Sequence, residues 1–233
     1  MEQHIASVFD RDLEAIQAHI MKMGGLVEQS IRDSALALKR RDTDLADRVR
    51  DNDVKIDELE TLIHEEATRV IALRAPAASD LRLIMSVLRI SVNLERIGDY
   101  SKNMSRRTGV VLNLPEMDGV PETVVRMAGE VEKMLKDCLD AYVRRDEAMA
   151  RDVIERDLNV DRMYNGLFRQ LVTFMLENPR NITACMHLHF MIKNIERMGD
   201  HVTSIAEMVV FIVTGVKPSS RPMGADPHFL DLE

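Results

Sequence analysis

A five-residue motif occurs twice in the chain, and this duplication constrains the fold more than any other feature. It reads ERIGD at residues 95–99 and ERMGD at residues 196–200. Other landmarks recur with nearly the same separation: the tripeptide Arg-Arg-Asp stands at residues 40–42 and again at 144–146, and Pro76 has a counterpart in Pro179. Recurrence of several landmarks at nearly the same separation indicates that a single structural unit has been duplicated.

Each unit is predicted to contain three long helices. Apolar residues recur at spacings of three and four over long stretches, and helix-capping or helix-breaking residues separate those stretches. Short connections make consecutive long helices antiparallel neighbours in a bundle. We therefore expect an all-α fold of two tandem three-helix bundles packed side by side, with helices at about residues 5–38, 43–75, 79–107, 122–143, 146–176 and 183–214.

Helix-breaking residues cluster at one internal place, between residues 108 and 121, where two glycines and two prolines occur. This cluster predicts a first bundle over residues 1–108, a linker over 109–120 and a second bundle over 121–215. Residues 216–233 are rich in Pro, Ser and Gly. Because such a composition buries little apolar surface, we expect a disordered C-terminal tail there.

Charge and cysteine content exclude several classes of protein. The chain has 31 Lys and Arg against 39 Asp and Glu, a net charge of −8, so it repels phosphate backbones and nucleic acid is not an expected partner. Two cysteines rule out a disulfide framework and fit a reducing, cytoplasmic location. We also expect neither a secretion signal nor a transmembrane segment.

Four acidic pairs stand four residues apart, a spacing that places both carboxylates on one helix face. In the third and fifth helices the acids lie at the edge of an apolar stripe, where their mutual repulsion needs a counter-ion. Arginine or lysine would serve, for which Lys55, Arg96, Arg162 and Arg197 are candidates, and so would a hard cation such as magnesium, manganese or iron. The acids are Asp53 and Asp57, Glu95 and Asp99, Asp157 and Asp161, and Glu196 and Asp200.

Two glycines, Gly98 and Gly199, stand inside the acidic motifs. A glycine in the middle of a helix costs about 1 kcal/mol relative to alanine. Such a cost is tolerated where a neighbouring helix packs closely or where a ligand needs room, and the sequence leaves both readings open.

No catalytic motif is recognisable. Neither glutamate of the repeated motif is followed by a histidine three residues later, as carboxylate-bridged di-iron bundles require. The 7 histidines complete no known metal spacing, and no phosphate-binding loop or nucleophile motif occurs. We predict a protein that is not an enzyme and has no catalytic residues. A carboxylate-bridged metalloenzyme or metal-storage bundle is the alternative, and a metal-free scaffold is a third possibility.

The chain resembles the PhoU family of phosphate-signalling regulators. The resemblance rests on ALRAPAASDLRLIMSVLRISVNLERIGDYSKN at residues 72–103, on its partner ENPRNITACMHLHFMIKNIERMGDHVTSIAE at 177–207, and on the doubled layout. It implies a metal cluster of iron, manganese, magnesium or zinc on the acidic motifs of each bundle. Carried onto this sequence, the implied ligands are Asp53, Asp57, Glu95, Asp99, Asp157, Asp161, Glu196 and Asp200.

The same resemblance implies a function. It points to a cytoplasmic negative regulator of phosphate uptake and of phosphate-starvation signalling. Such a protein would be an adaptor between the ATPase subunit of the phosphate ABC transporter and a sensor histidine kinase, peripheral to the membrane through these partners and homodimeric. Long helical faces and a stock of 16 methionines able to repack on a surface are compatible with an interaction protein.

Overall fold

The computed structural model describes residues 2–218, with side chains from residue 10 onward. This part of the chain contains six long α-helices and one short 3-10 turn, which confirms the predicted all-α fold. The helices are α1 (Glu2–Arg40), α2 (Thr43–Arg74), α3 (Ala78–Val111), α4 (Val120–Arg144), α5 (Glu147–Glu177) and α6 (Ile182–Thr214), and the turn is Pro179–Asn181.

The turns between the first two helices of each repeat have the same structure. Arg41 and Arg145 both adopt left-handed backbone conformations, with φ of 55° and 53°. Asp42 and Asp146 then cap the next helix, each accepting a hydrogen bond from the backbone N–H three residues later, at 2.9 and 3.0 Å. The repeated Arg-Arg-Asp sequence thus builds the same turn twice.

Helices α1, α2 and α3 pack on one another, as do α4, α5 and α6, and the two bundles meet where α1 contacts α4 and α3 contacts α6. Helices α3 and α6 run antiparallel. Arg82 near the start of α3 lies 5.9 Å from the ring of Phe211 near the end of α6, whereas Arg107 lies 4.4 Å from the ring of Phe190. The acidic motifs, near the middle of α3 and α6, therefore lie beside this seam.

One apolar core runs through both bundles. At the seam between α1 and α4, Gly24 allows the closest approach, because a Cβ atom there would overlap the Leu139 side chain. Fully buried large side chains include Ile20, Met23, Ile31, Ile56, Ile63, Ile90, Leu94, Ile97, Met104, Met127 and Met134.

Two sequence expectations need correction in detail. Helix α3 continues to Val111, because Thr108 and Val111 are buried, so the connector to α4 covers only residues 112–119. The methionines do not form an adaptable surface, since most described ones are buried and the clearly exposed ones are Met85 and Met186. Residues 219–233 of the predicted disordered tail lie outside the described part of the chain. No described helix is long and apolar enough to span a membrane.

Candidate functional site

The first acidic set lies between α2 and α3. Asp53 of α2 is only 2% exposed, and its Oδ2 contacts the ammonium group of Lys102. The same ammonium lies 3.6 Å from Oδ1 of Asp99 on α3. The structure therefore brings the carboxylates of two different helices onto one cation. Because Oδ1 of Asp53 is buried without a hydrogen-bond partner, this oxygen has an unused capacity to bind a donor or a cation.

Glu95 and Asp57, the other two acids of the first set, also lie partly buried near other carboxylates. Burial, followed by the charge of Asp99, raises the pKa of Glu95 to about 7. Burial and then the charge of Asp53 raise the pKa of Asp57, which lies one helical turn further along α2. All four predicted residues thus belong to one electrostatic cluster.

The second acidic set lies between α5 and α6. Glu196 is only 7% exposed, and its Oε1 accepts a hydrogen bond from Lys193 Nζ at 2.6 Å while its Oε2 is buried without a partner. Burial, followed by the charges of Asp161 and Asp200, raises the pKa of Asp157 to about 7. Burial and then Glu196 raise the pKa of Asp200 to about 6. The four carboxylates of α5 and α6 therefore converge.

The two glycines of the repeated motifs give these carboxylates room. A Cβ atom at Gly199 would lie 2.9 Å from Oδ1 of Asp157, closer than a Cβ contact allows. A Cβ atom at Gly98 would lie 3.1 Å from Ile56 Cδ1 and 3.7 Å from Oδ1 of Asp53. The missing side chain of Gly199 thus lets the Asp157 carboxylate lie against the backbone of α6. Gly98 mainly accommodates the close packing of Ile56 on α2.

Sequence reasoning missed the two lysines that neutralise the acids. Lys102 stands three residues after Asp99 and Lys193 three residues before Glu196, a helical spacing that could have revealed both. Of the arginines expected in this role, Arg96 lies 3.7 Å from Asp99 and also neighbours Glu95. Arg197 points elsewhere and donates a hydrogen bond to the hydroxyl group of Tyr100 at 3.5 Å.

The donor chemistry of both sets fits a hard cation. Carboxylate oxygens are the preferred ligands of magnesium, manganese and calcium, and each set contains one buried oxygen without a partner. In the present side-chain arrangement, however, no group of three or more His, Cys, Asp or Glu within the described ranges is placed to hold a metal ion. Binding of a cation would therefore require the carboxylates to move closer together, and Lys102 and Lys193 now supply the compensating charge.

The described histidines and cysteines belong to other surroundings. His201 Nδ1 faces Oδ1 of Asn93 at 2.8 Å, and His187 Nδ1 lies 3.4 Å from the guanidinium group of Arg107. Both cysteines are buried, and burial raises the pKa of the Cys138 thiol. A buried thiol with a raised pKa is a packing residue, since the reactive form is the thiolate.

Comparison with known proteins identifies the family. The family model described as "PhoU domain" matches twice, at residues 20–108 and 124–209, one match to each repeat. A relative in Rhizobium meliloti, named phosphate-specific transport system accessory protein PhoU homolog, is 43% identical over 94% of this chain and 92% of its own length.

Two solved structures share the fold. The crystal structure of PhoU from Pseudomonas aeruginosa has a TM-score of 0.86 at 39% identity and covers 89% of this chain and all of its own. That of the phosphate transport system regulatory protein PhoU from Streptococcus pneumoniae has a TM-score of 0.83 at 25% identity, covering 91% of this chain and all of its own. The repeated helical unit, its paired acidic motifs and these matches together show that the chain belongs to the PhoU family.

Proposed function

We propose that this protein is a non-enzymatic negative regulator of phosphate uptake and of phosphate-starvation signalling. The observation that carries the proposal is the double match to the PhoU domain, one match per repeat. The Rhizobium meliloti relative is named an accessory protein of the phosphate-specific transport system, and the Streptococcus pneumoniae neighbour a regulatory protein of phosphate transport. A chain so similar over nearly its whole length fits the same role.

The adaptor role places the protein in the cytoplasm, between the ATPase subunit of the phosphate ABC transporter and a sensor histidine kinase. Long, antiparallel helices offer extended faces for such contacts. The net charge of −8 argues for protein partners over nucleic acid. We include a homodimer in this proposal. Light scattering of the purified protein tests the dimer, and co-purification with each tagged partner tests the two contacts.

Metal binding by the two acidic sets belongs to the same proposal. Asp53, Asp57, Glu95 and Asp99 would hold the ion or ions of the first bundle, and Asp157, Asp161, Glu196 and Asp200 those of the second. Iron, manganese, magnesium or zinc would supply positive charge that relieves the repulsion among the carboxylates. The carboxylates of α2 and α3, and of α5 and α6, would bind and orient the ion, so that each pair of helices is tied together.

The regulatory proposal is tested by deleting the gene and measuring a phosphate-starvation reporter in phosphate-rich medium. We expect the reporter to be switched on in the deletion strain and switched off again when the gene is restored. Unchanged reporter expression in the deletion strain would contradict the proposal.

A double substitution tests metal binding separately from regulation. Replacing Glu95 and Asp99 together by Asn removes two ligands from α3 and leaves the buried Asp53 paired with Lys102. We expect the metal content of the purified protein to fall by about half while its helical circular dichroism signal stays unchanged, since both changed side chains are partly exposed. An unchanged metal content would contradict the ligand assignment without affecting the regulatory proposal.

A further inference from the structure

The third helix of each repeat exposes no acidic residue to solvent. From Leu81 onward, the exposed residues of α3 are apolar residues, glycine and arginine, and those of α6 are apolar residues, threonine and one arginine. The other four helices all expose acids, and the exposed acids of α2 are Asp44, Asp47, Asp51, Asp57, Glu58 and Glu65. In a chain with a net charge of −8, the surface of α3 and α6 therefore differs in kind from the rest.

An apolar stripe runs along the first half of α3. Its members Leu81, Met85, Leu88 and Val92 stand at positions i, i+4, i+7 and i+11, a spacing that places them on one face of the helix. Met85 is 47% exposed and Leu81 and Val92 are each 38% exposed, whereas Leu88 packs partly against the core. The stripe is about 17 Å long. A row of this kind is what the apolar face of a second amphipathic helix packs against.

Arginines line one edge of the apolar stripe. Arg82, Arg89 and Arg96 follow one another at intervals of seven residues, so their side chains leave α3 on the same side. No acidic side chain among residues 10–218 lies within ion-pair distance of Arg82 or Arg89. Arg96 differs, because Asp99 lies 3.7 Å away and compensates its charge. Two uncompensated guanidinium groups therefore stand beside the stripe.

The neighbouring helices do not cancel this positive charge. On α2, which runs antiparallel to α3, the face that carries Asp57 continues with Thr61, His64 and Thr68, so the acidic set gives way to uncharged residues alongside the stripe. On α6, Glu207 is half-buried. Burial, opposed by the charge of Lys217, raises the pKa of Glu207 and so disfavours its charged form. The arginines thus dominate the charge along the first half of α3.

We propose that the first half of α3 is a docking surface for an acidic amphipathic helix of a partner protein. Apolar side chains of that helix cover Leu81, Met85 and Val92. Carboxylates on its flank pair with Arg82 and Arg89. Burial of apolar area provides the driving force, and charge-assisted hydrogen bonds select acidic helices. The identity of the partner rests on the adaptor role proposed above, whereas the chemistry of the surface does not.

The matching face of α6 keeps the apolar residues and lacks the arginines. Ile182 and Met186 are exposed at the positions of Leu81 and Met85, but threonine and phenylalanine stand where α3 has Arg82 and Arg89. A helix with acidic flanks should therefore bind the first repeat alone. This predicts one site per chain despite the duplicated fold.

A designed peptide tests the surface without knowledge of the natural partner. The probe is a fluorescently labelled helical peptide of about 18 residues, which covers the stripe, with leucine at i, i+4, i+7 and i+11 and glutamate on both flanks. A scrambled peptide of the same composition is the control, because it has the same charge and no apolar face. Fluorescence anisotropy with the full-length protein should show binding at least about tenfold tighter for the helical probe, at one site per chain. Equal affinities would overturn the proposal.

A pair of matched variants locates the binding. Met85→Glu with Arg89→Glu changes the stripe and its edge, and Leu176→Glu with Arg169→Glu makes the same changes of charge at exposed positions of α5. The affinity for the probe should fall at least about tenfold in the first variant and less than about twofold in the second. Circular dichroism verifies folding, and the single changes Arg89→Glu and Arg169→Glu replace the pairs if folding fails. An equal loss in both variants, or no loss in the first, would overturn the proposal.

The same variants connect the surface with the adaptor role. Co-purification with the tagged ATPase subunit, or with the tagged cytoplasmic part of the sensor kinase, should be lost in the α3 variant and retained in the α5 variant. If the wild type retains neither partner, the adaptor role fails while the peptide still decides the surface. Retention of both partners by the folded α3 variant would overturn the proposal. So would an effect confined to phosphatidylglycerol vesicle binding or to the mass from light scattering, since the surface would then belong to a membrane or to a second copy.

Discussion

The ring of Tyr100 lies 5.6 Å from the ring of His201, and these two residues occupy the same position in the two repeats. Each directly follows the last aspartate of the duplicated motif. Contact between two equivalent positions means that α3 and α6 cross near the axis that relates the repeats. The two acidic sets therefore flank one seam, and the pair Tyr100–His201 breaks the symmetry between them.

His201 differs from its counterpart Tyr100 in its polar surroundings at the seam between α3 and α6. His201 Nδ1 faces Asn93 of the first repeat, and burial, followed by Arg96 and Arg197, lowers the pKa of His201. Burial and the positive charges of these two arginines therefore favour the neutral form of the imidazole.

Lys102→Ala should destabilise the metal-free protein. The substitution leaves the buried carboxylate of Asp53 without its cation, which costs about 1–3 kcal/mol in unfolding free energy. Urea denaturation in the presence of a chelator measures this effect. Lys55→Ala is the control, because Lys55 is exposed on the same helix as Asp53, and it should change stability by less than about 0.5 kcal/mol.

The same Lys102→Ala protein should gain more stability from added manganese than the wild type does. A bound cation replaces the lost ammonium group and no longer competes with it, so the apparent metal affinity rises. The shift in melting temperature on adding manganese measures the gain. An equal or smaller shift in the variant would show that Lys102 does not compete with a metal.

Gly199→Ala should reduce metal binding in the second bundle only. The added Cβ atom would lie 2.9 Å from Oδ1 of Asp157, so this carboxylate must leave its place. Gly166→Ala is the matched control on α5, since nothing lies within 4 Å of its added Cβ atom. Metal analysis of purified protein should show a loss of about half the bound metal in the first variant and none in the second. Retention of full metal content in Gly199→Ala would contradict the ligand role of Asp157.

The sequence predicts the six helices and the duplication because both depend on local signals. Apolar periodicity, capping aspartates and repeated motifs are all readable within one helix or one turn. The composition of the acidic sets is likewise readable from the spacing of Asp53 with Asp57 and of Glu95 with Asp99. These local features are therefore sufficient to predict the architecture without knowledge of any tertiary contact.

The charge balance of the acidic sets was harder to predict, because it depends on contacts between helices. Lys102 lies on α3, but its main partner, Asp53, lies on α2. The positions of Asp53 and Asp157 depend on how closely α2 and α5 approach Gly98 and Gly199. Side-chain conformations of this kind are decided by packing, and no local pattern encodes them.

Gly24→Ala should destabilise the protein at the seam between α1 and α4. The added Cβ atom would overlap Leu139, and overpacking of a rigid core typically costs about 1–3 kcal/mol. The neighbouring Gly25→Ala is the control, because its Cβ atom meets nothing within 4 Å and alanine favours the helix by about 1 kcal/mol. Denaturant unfolding should therefore show opposite signs for the two variants. In a double-mutant cycle, Gly24→Ala should cost less in a Leu139→Ala background than in the wild type, which would identify the overlap as the cause.

The stability of the metal-free protein should fall as the pH rises. The pKa values of Glu95 and Asp157 are raised to about 7 and that of Asp200 to about 6, whereas carboxyls in the unfolded chain ionise near pH 4. Between about pH 4 and pH 7 the folded state therefore holds more protons than the unfolded state, and the free energy of unfolding decreases with increasing pH. Asp157→Asn should remove part of this decrease, whereas Asp51→Asn, an exposed change on α2, should not.

A bound cation should reverse the trend. Only ionised carboxylates coordinate, so the stabilisation by manganese should be small near pH 5 and should grow up to about pH 7, where Glu95, Asp157 and Asp200 lose their protons. Melting curves over this range, recorded once with a chelator and once with manganese, should diverge as the pH rises. Parallel curves would show that these carboxylates titrate without binding the cation. Divergence that persists in the Asp157→Asn protein would assign the cation to the first bundle, where Asp53 and Asp99 already meet at one positive charge.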